Sequence, residues 1–112
     1  MAVLAVQEIV RAGLAPAYTA CAAGGDSFAN PGNAFIHIKN ANGSAATLTI
    51  VTPKTVDGLA VADRTVSIPA TSGDVMIGPL PAATYNDASG NVSLTYSAVT
   101  GLTIGIVKLG TA

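Results

Sequence analysis

The chain has 112 residues, enough for one domain with a single modest core. Half are apolar, but only 4% are aromatic and 10% charged, against a usual charged share of about 25%. Lys39, Lys54, Lys108, Arg11 and Arg64 are scattered and the net charge is −1, so the basic patch that nucleic-acid binding by counterion release requires is missing. One cysteine, Cys21, excludes an intramolecular disulfide and a cysteine-based zinc site. Its Ala-rich setting reads as a buried structural thiol.

Residues 2–10, AVLAVQEIV, fit helical spacing about as well as alternation. Val and Ile dominate, and Gly13 and Pro16 follow closely, so an extended arm or first strand is expected over residues 1–20, ahead of a β-sandwich domain over 21–112. No basic n-region precedes the apolar run, and Glu8 and Arg11 interrupt it before it reaches h-region length. No stretch approaches a membrane span of ~20 apolar residues. A cytosolic product that is not exported by this route, with no membrane partner, is expected. Turn signals at Gly24-Gly25-Asp26 and Asn30-Pro31-Gly32-Asn33 bracket a short strand over 26–29, with Phe28 as a core anchor.

The organising stretch is FIHIKNANGSAATLTIV, residues 35–51. Ile36 and Ile38 share one face of the first run, opposite His37 and Lys39. Leu48 and Ile50 alternate with Thr47 and Thr49 in the second. Alternation on both sides of Asn40, Asn42, Gly43 and Ser44 predicts an antiparallel hairpin. Residues 52–63, TPKTVDGLAVAD, show no sustained period and read as a long loop, partner-facing by its length and its apolar Val56, Leu59, Ala60 and Val61. Strands follow over 65–69 (Val66 and Ile68 inward), 75–78, 92–97 and 102–107, with a polar corner at 85–91 and a short tail at 110–112. Gly101 and Gly105 mark a bulge or a close backbone approach in the last strand.

Six such strands, with one or two before residue 35 and no clear helix, predict an all-β fold. We expect a single antiparallel β-sandwich or small barrel of about seven or eight strands. The low charge further predicts that part of the surface is covered in use, by copies of the chain or by a partner.

Catalytic chemistry is hard to assemble from these residues. His37 is the only histidine, and its sequence neighbours offer no orienting carboxylate. The carboxylates of Asp26, Asp57, Asp63, Asp74 and Asp87 stand beside turn residues and serve turns. Asp87 with Asn86, Ser89 and Asn91 supplies oxygen ligands but misses the EF-hand spacing, so a plain turn is expected instead of a calcium site. Gly24-Gly25 lacks the helix and Lys-Ser/Thr of a phosphate loop. No catalytic, cofactor-binding or metal residue is assigned, and a non-enzymatic role is expected.

The segments TVDGLAVADRTVSIPA, IGPLP, YNDASGNVSLTYSAVT, LTIGIVKL, GGDSFANPGNAFIHIKN and AVQEIVRAGLAP together resemble a group of small proteins of tailed phages and prophages. The resemblance covers most of the chain and is carried by turns and strands, not by a catalytic signature. It implies a virion protein of the head decoration (cement) type, located on the capsid surface. Its implied partners are the major capsid protein and further copies of itself, often as a homotrimer. The residues expected to reach the shell are Val3, Leu4, Val6 and Ile9 in the N-terminal segment and Val56, Leu59 and Val61 in the 52–63 loop. The alternatives are a head–tail connector or tail protein, and a host- or carbohydrate-binding module. Tyr18, Tyr85, Tyr96, Phe28 and Phe35 give the last few aromatic residues to work with.

Overall fold

A computed structural model describes residues 2–78 and 80–109; Pro79 and the expected tail at 110–112 lie outside the described residues. The strands are β1 (Ala2–Leu4), β2 (Val6–Ile9), β3 (Thr19–Ala20), β4 (Asp26–Ala29), β5 (Ala34–Asn40), β6 (Ala46–Ile50), β7 (Thr55–Val56) and β8 (Leu59–Ala60). They continue with β9 (Arg64–Ile68), β10 (Gly73–Ile77), β11 (Asn91–Tyr96) and β12 (Leu102–Leu109), and one helical turn, α1 (Ala82–Tyr85), precedes β11. One sheet runs β1-β4-β11-β6-β9 and the other β10-β5-β12-β2, with β3 also on β12. The fold is all-β and sandwich-like, and the sheets do not close into a barrel. Among the described residues no helix is long and apolar enough to cross a membrane.

Alternation produces this architecture. Burial along β5 and β6 is strictly periodic, with Ile36, Ile38, Leu48 and Ile50 inaccessible to solvent. Each strand buries one face, so the apolar faces of two sheets must meet. Phe28, Ile68, Leu80, Val92, Leu94, Ile104 and Ile106 complete the same cluster.

The expected hairpin of β5 and β6 does not form. β5 pairs with β10 and β12, whereas β6 pairs with β11 and β9 in the opposite sheet. The link over 40–45 is longer than the two-residue turn that joins tight hairpins. It suffices to cross the ~10 Å between stacked sheets, and buried Asn40 shapes it. Asn40 Oδ1 accepts the Asn42 N–H at 2.9 Å, and Asn40 Nδ2 donates to the Ser44 carbonyl at 3.0 Å. From β4 onward the other main connections also change sheet; only β6 returns to a neighbour in its own sheet, β9.

That return carries the 52–63 segment, which is a hairpin and not a loop. β7 and β8 pair with Val56 opposite Leu59. Asp57 and Gly58 both take positive φ, 52° and 77°, the type I′ geometry of a two-residue Asp-Gly turn.

The N-terminal residues are built into the sandwich. β1 runs parallel to β4 on the edge of one sheet, and β2 runs parallel to β12 on the edge of the other. One extended run thus switches sheets at Ala5 and brings two parallel pairings into an otherwise antiparallel fold. These short strands and the β7–β8 pair raise the strand number above the expected seven or eight. The arm or first strand expected over residues 1–20 contains two short edge strands, β1 in one sheet and β2 in the other.

Candidate functional site

Two surfaces gather the residues with something to offer. The first is the outer face of the β10-β5-β12-β2 sheet, where His37 and Lys39 alternate away from the core. After β2 the chain turns back, and Gln7 fixes it with two hydrogen bonds. Its Nε2 donates to the Ala17 carbonyl at 2.8 Å, and its Oε1 accepts the Ala17 N–H at 2.7 Å. This lays Tyr18 over Gly105, where a Cβ would stand 3.1 Å from the Tyr18 ring and 3.0 Å from the Ala17 oxygen. The close approach read from the sequence at Gly105 is present, and this is its reason.

Tyr18 then meets His37. Its hydroxyl lies 2.6 Å from His37 Nδ1, with the rings edge to face at 5.3 Å. His37 Nε2 pairs with Asp74 Oδ1, and Lys39 Nζ sits 4.3 Å from the Tyr18 ring centroid. A neutral imidazole satisfies both contacts when the Tyr18 O–H donates to Nδ1 and the Nε2–H donates to Asp74. His37 thus has a carboxylate partner although its sequence neighbours offer none. Asp74 lies 37 residues away and arrives through β10, where it is the residue diagonal to His37, whose direct partner is Met76. Local sequence cannot show a cross-strand neighbour.

Chemically, this row is a clasp more than a reactive centre. The imidazole nitrogens are both engaged, the His37 side chain is only 12% exposed, and the phenol is covered by Lys39 on a cation–π contact. Beside it the same face hollows into an apolar groove of about 570 Å³ lined by Phe35, Met76, Ile77, Gly78 and Leu109. A smaller depression continues from Phe35 and Met76 to Leu14 and Pro16. Met76 and Leu109 are largely exposed there.

The second surface is the β7–β8 hairpin. Its neck is closed by the Thr52 N–H on Asp63 Oδ1 at 2.9 Å and by the Val61 N–H on the Lys54 carbonyl at 3.3 Å. Its tip presents Val56, 54% exposed, and Leu59, 71% exposed.

The residues expected to reach a partner therefore separate. Val3, Val56 and Leu59 are exposed, and Ile9 and Val61 are half-buried. Leu4 is buried in the core and the half-buried Val6 packs against it, because the first run serves as an edge strand in each sheet. Met76 carries no local signal, Tyr18 and Phe35 stand out only as scarce aromatic residues, and Asp74 only as a turn carboxylate. The Asp57-Gly58 dipeptide was the available signal for the hairpin.

A third polar group lies inside. Asp26 is inaccessible to solvent; its Oδ2 accepts the Tyr96 O–H at 2.7 Å and the Ala22 N–H at 3.2 Å, while Oδ1 has no partner among the described residues. Burial pushes the Cys21 thiol up to about 11, against a lowering hydrogen bond from Tyr96 and with a further rise from Asp26. Burial and the hydrogen bond to Asp26 also raise Tyr96 well above the ordinary phenol range. The buried structural thiol expected at Cys21 is thus found. At the polar corner Asp87 Oδ1 accepts the N–H groups of Ser89 and Asn91 at 2.8 and 3.0 Å, the turn-forming role expected for it. Among the described residues no group of three or more His, Cys, Asp or Glu side chains could hold a metal ion.

Compared with family models, curated proteins and solved structures, the chain matches none.

Proposed function

We propose that this chain is a non-enzymatic structural protein that works by packing against other protein subunits, as a decoration (cement) protein on a phage head. The observation that carries the packing role is the β7–β8 hairpin. It holds two large apolar side chains in solvent on a turn whose geometry is fixed and whose neck is tied to the sandwich. Exposed apolar groups on a rigid projection favour a contact, because little conformational entropy is lost when they are buried. The low surface charge and the apolar groove around Met76 point the same way. The resemblance in sequence to small virion proteins supplies the capsid as the partner and the homotrimer as the working unit.

Burying Val56 and Leu59 from their exposed state is worth about 3 kcal/mol together, or about a hundredfold in affinity. Native mass spectrometry of the purified protein, alone and with isolated capsids, tests the reading. A trimer that occupies capsomer junctions throughout the shell, and a Val56→Asp/Leu59→Asp variant that stays folded but leaves it, are expected. A monomer that ignores capsids, or a ring confined to one vertex, overturns it in favour of a binding module or a connector.

A further inference from the structure

We infer that Asn42-Gly43 is a built-in site of spontaneous covalent change, at which Asn42 converts to a mixture of isoaspartate and aspartate while the protein is folded. The step needs only water. The Gly43 backbone nitrogen, losing its proton to solvent base, attacks Asn42 Cγ; the new C–N bond closes a five-membered succinimide, and the side-chain amide leaves as ammonia. Water then opens the ring. Cleavage at the former side-chain carbonyl gives aspartate, and cleavage at the backbone carbonyl gives isoaspartate, with the chain rerouted through the β-carbon.

Folded proteins suppress this chemistry when the attacking N–H is hydrogen-bonded, when the amide is engaged, or when a side chain on the following residue crowds the approach. None of the three applies at Asn42. Among the described residues, the Gly43 N–H and the Asn42 side-chain amide have no hydrogen-bond partner. Around Gly43 nothing lies within 4 Å of where a Cβ would be.

The other asparagines are each guarded. Asn40 uses both side-chain ends in the arch, and the following Ala41 N–H is bound to the Gly101 carbonyl at 2.9 Å. Asn86 is paired with Asn30, and the following Asp87 N–H is bound to the Asn91 carbonyl at 2.9 Å. Asn30 precedes Pro31, which has no N–H. Asn33 and Asn91 precede residues held in β5 and β11.

The site also has a structural consequence. The Asn42 carbonyl accepts the Thr71 N–H at 2.6 Å, and Thr71 holds a positive φ of 68° in the arch between β9 and β10. A non-glycine residue with that backbone relies on such restraints. Isoaspartate lengthens the main chain at Asn42 and places a new carboxylate beside it, so it releases Thr71. The change thus loosens the point where the 40–45 and 69–72 arches meet.

The test incubates the intact folded protein at mildly alkaline pH, digests it with trypsin, and follows the peptide over residues 40–54 by mass and fragmentation beside a synthetic peptide of the same sequence. Conversion at Asn42 at a rate comparable to the free peptide is expected, with a pair of chromatographically separate products and none at the other asparagines. Gly43→Ala, which the open space admits, abolishes the conversion on the same time scale, and hydrogen exchange at Thr71 speeds up in converted protein. An Asn42 that stays intact in the folded protein while the free peptide converts overturns the inference. Conversion that is equally fast at Asn33 or Asn91, or that leaves Thr71 exchange unchanged, overturns the selectivity or the structural consequence.

Discussion

Removing one hydroxyl from Tyr96 should test how the interior tolerates a buried acid. Asp26 lies in β4 with no solvent contact, and its only side-chain donor among the described residues is the Tyr96 O–H at 2.7 Å. The remaining donor, the Ala22 N–H, is longer at 3.2 Å. A hydrogen bond to a charged group contributes about 1.5–3 kcal/mol, and stranding a buried acceptor adds to that loss. Tyr96→Phe keeps the ring packing and should therefore cost about 3 kcal/mol. With a urea dependence of about 1.5 kcal/mol per molar for a domain of this size, the midpoint falls by roughly 2 M. Far-UV circular dichroism reads it, since the chain has no tryptophan. Asp26→Asn removes the charge but keeps the shape, and in that background Tyr96→Phe should cost only about 1 kcal/mol. The difference, about 2 kcal/mol, is the coupling between the two groups. A Tyr96→Phe cost below about 0.5 kcal/mol, with no coupling to position 26, would refute the reasoning.

The alkaline limit of stability should be set partly by Cys21. Its unfolded thiol ionises near the ordinary 9.0 while the folded one keeps its proton to about 11, so folding binds the extra proton and stability falls as pH rises between those values. The slope is about 1.4 kcal/mol per pH unit, and Cys21→Ala, compared with the parent across that window by denaturant titration, should lack this component. Gly105→Ala should cost about 1–3 kcal/mol by pushing Tyr18 off the sheet, and nitrogen NMR should show His37 losing its fixed tautomer; an unchanged His37 would refute the clasp. Gly58→Val breaks the turn at a φ of 77°. It should change global stability by less than about 1 kcal/mol, yet on the proposed decoration role it should lower capsid binding as far as the double aspartate variant does.

Strand identity was legible because it is written in neighbouring residues. The alternation in IHIK and TLTI, residues 36–39 and 47–50, states which side chains are buried, and the burial along β5 and β6 follows it. What period-2 patterns leave open is which strand lies beside which. A strand with one apolar face is satisfied equally by a hairpin partner in its own sheet or by an arch to the sheet opposite, and the choice rests on the link. Asn40 decides it in this chain: its side chain spends both ends on backbone groups of residues 42 and 44 and so shapes an arch. In the 52–63 segment the same ambiguity fell the other way. Each strand there has only two residues, too short to show a period, so the positive-φ pair Asp57-Gly58 was the sole local sign of a hairpin.

The site divides along the same line. Val56 and Leu59 stand out in the sequence only as apolar residues of an expected loop; their exposure follows from the turn at the end of a short ribbon, which that reading did not contain. The burial of Leu4 and the partial burial of Val6 are not legible locally, since they depend on β4 and β12, which lie more than twenty residues away. Tyr18, His37 and Asp74 come from three separate segments and meet only because β5 runs beside β10 and the 10–18 segment folds back over β12. The clasp they form pins the chain after β2 to the sheet, and with Gln7 it makes the N-terminal quarter part of a rigid block. A partner that packs on this protein, as proposed, therefore meets a preformed surface, and the hairpin tip projects the exposed aliphatic pair Val56 and Leu59 from it. If binding instead required the N-terminal run to peel away, weakening the clasp by Gly105→Ala would strengthen it; with a preformed surface, that variant binds no better than the parent.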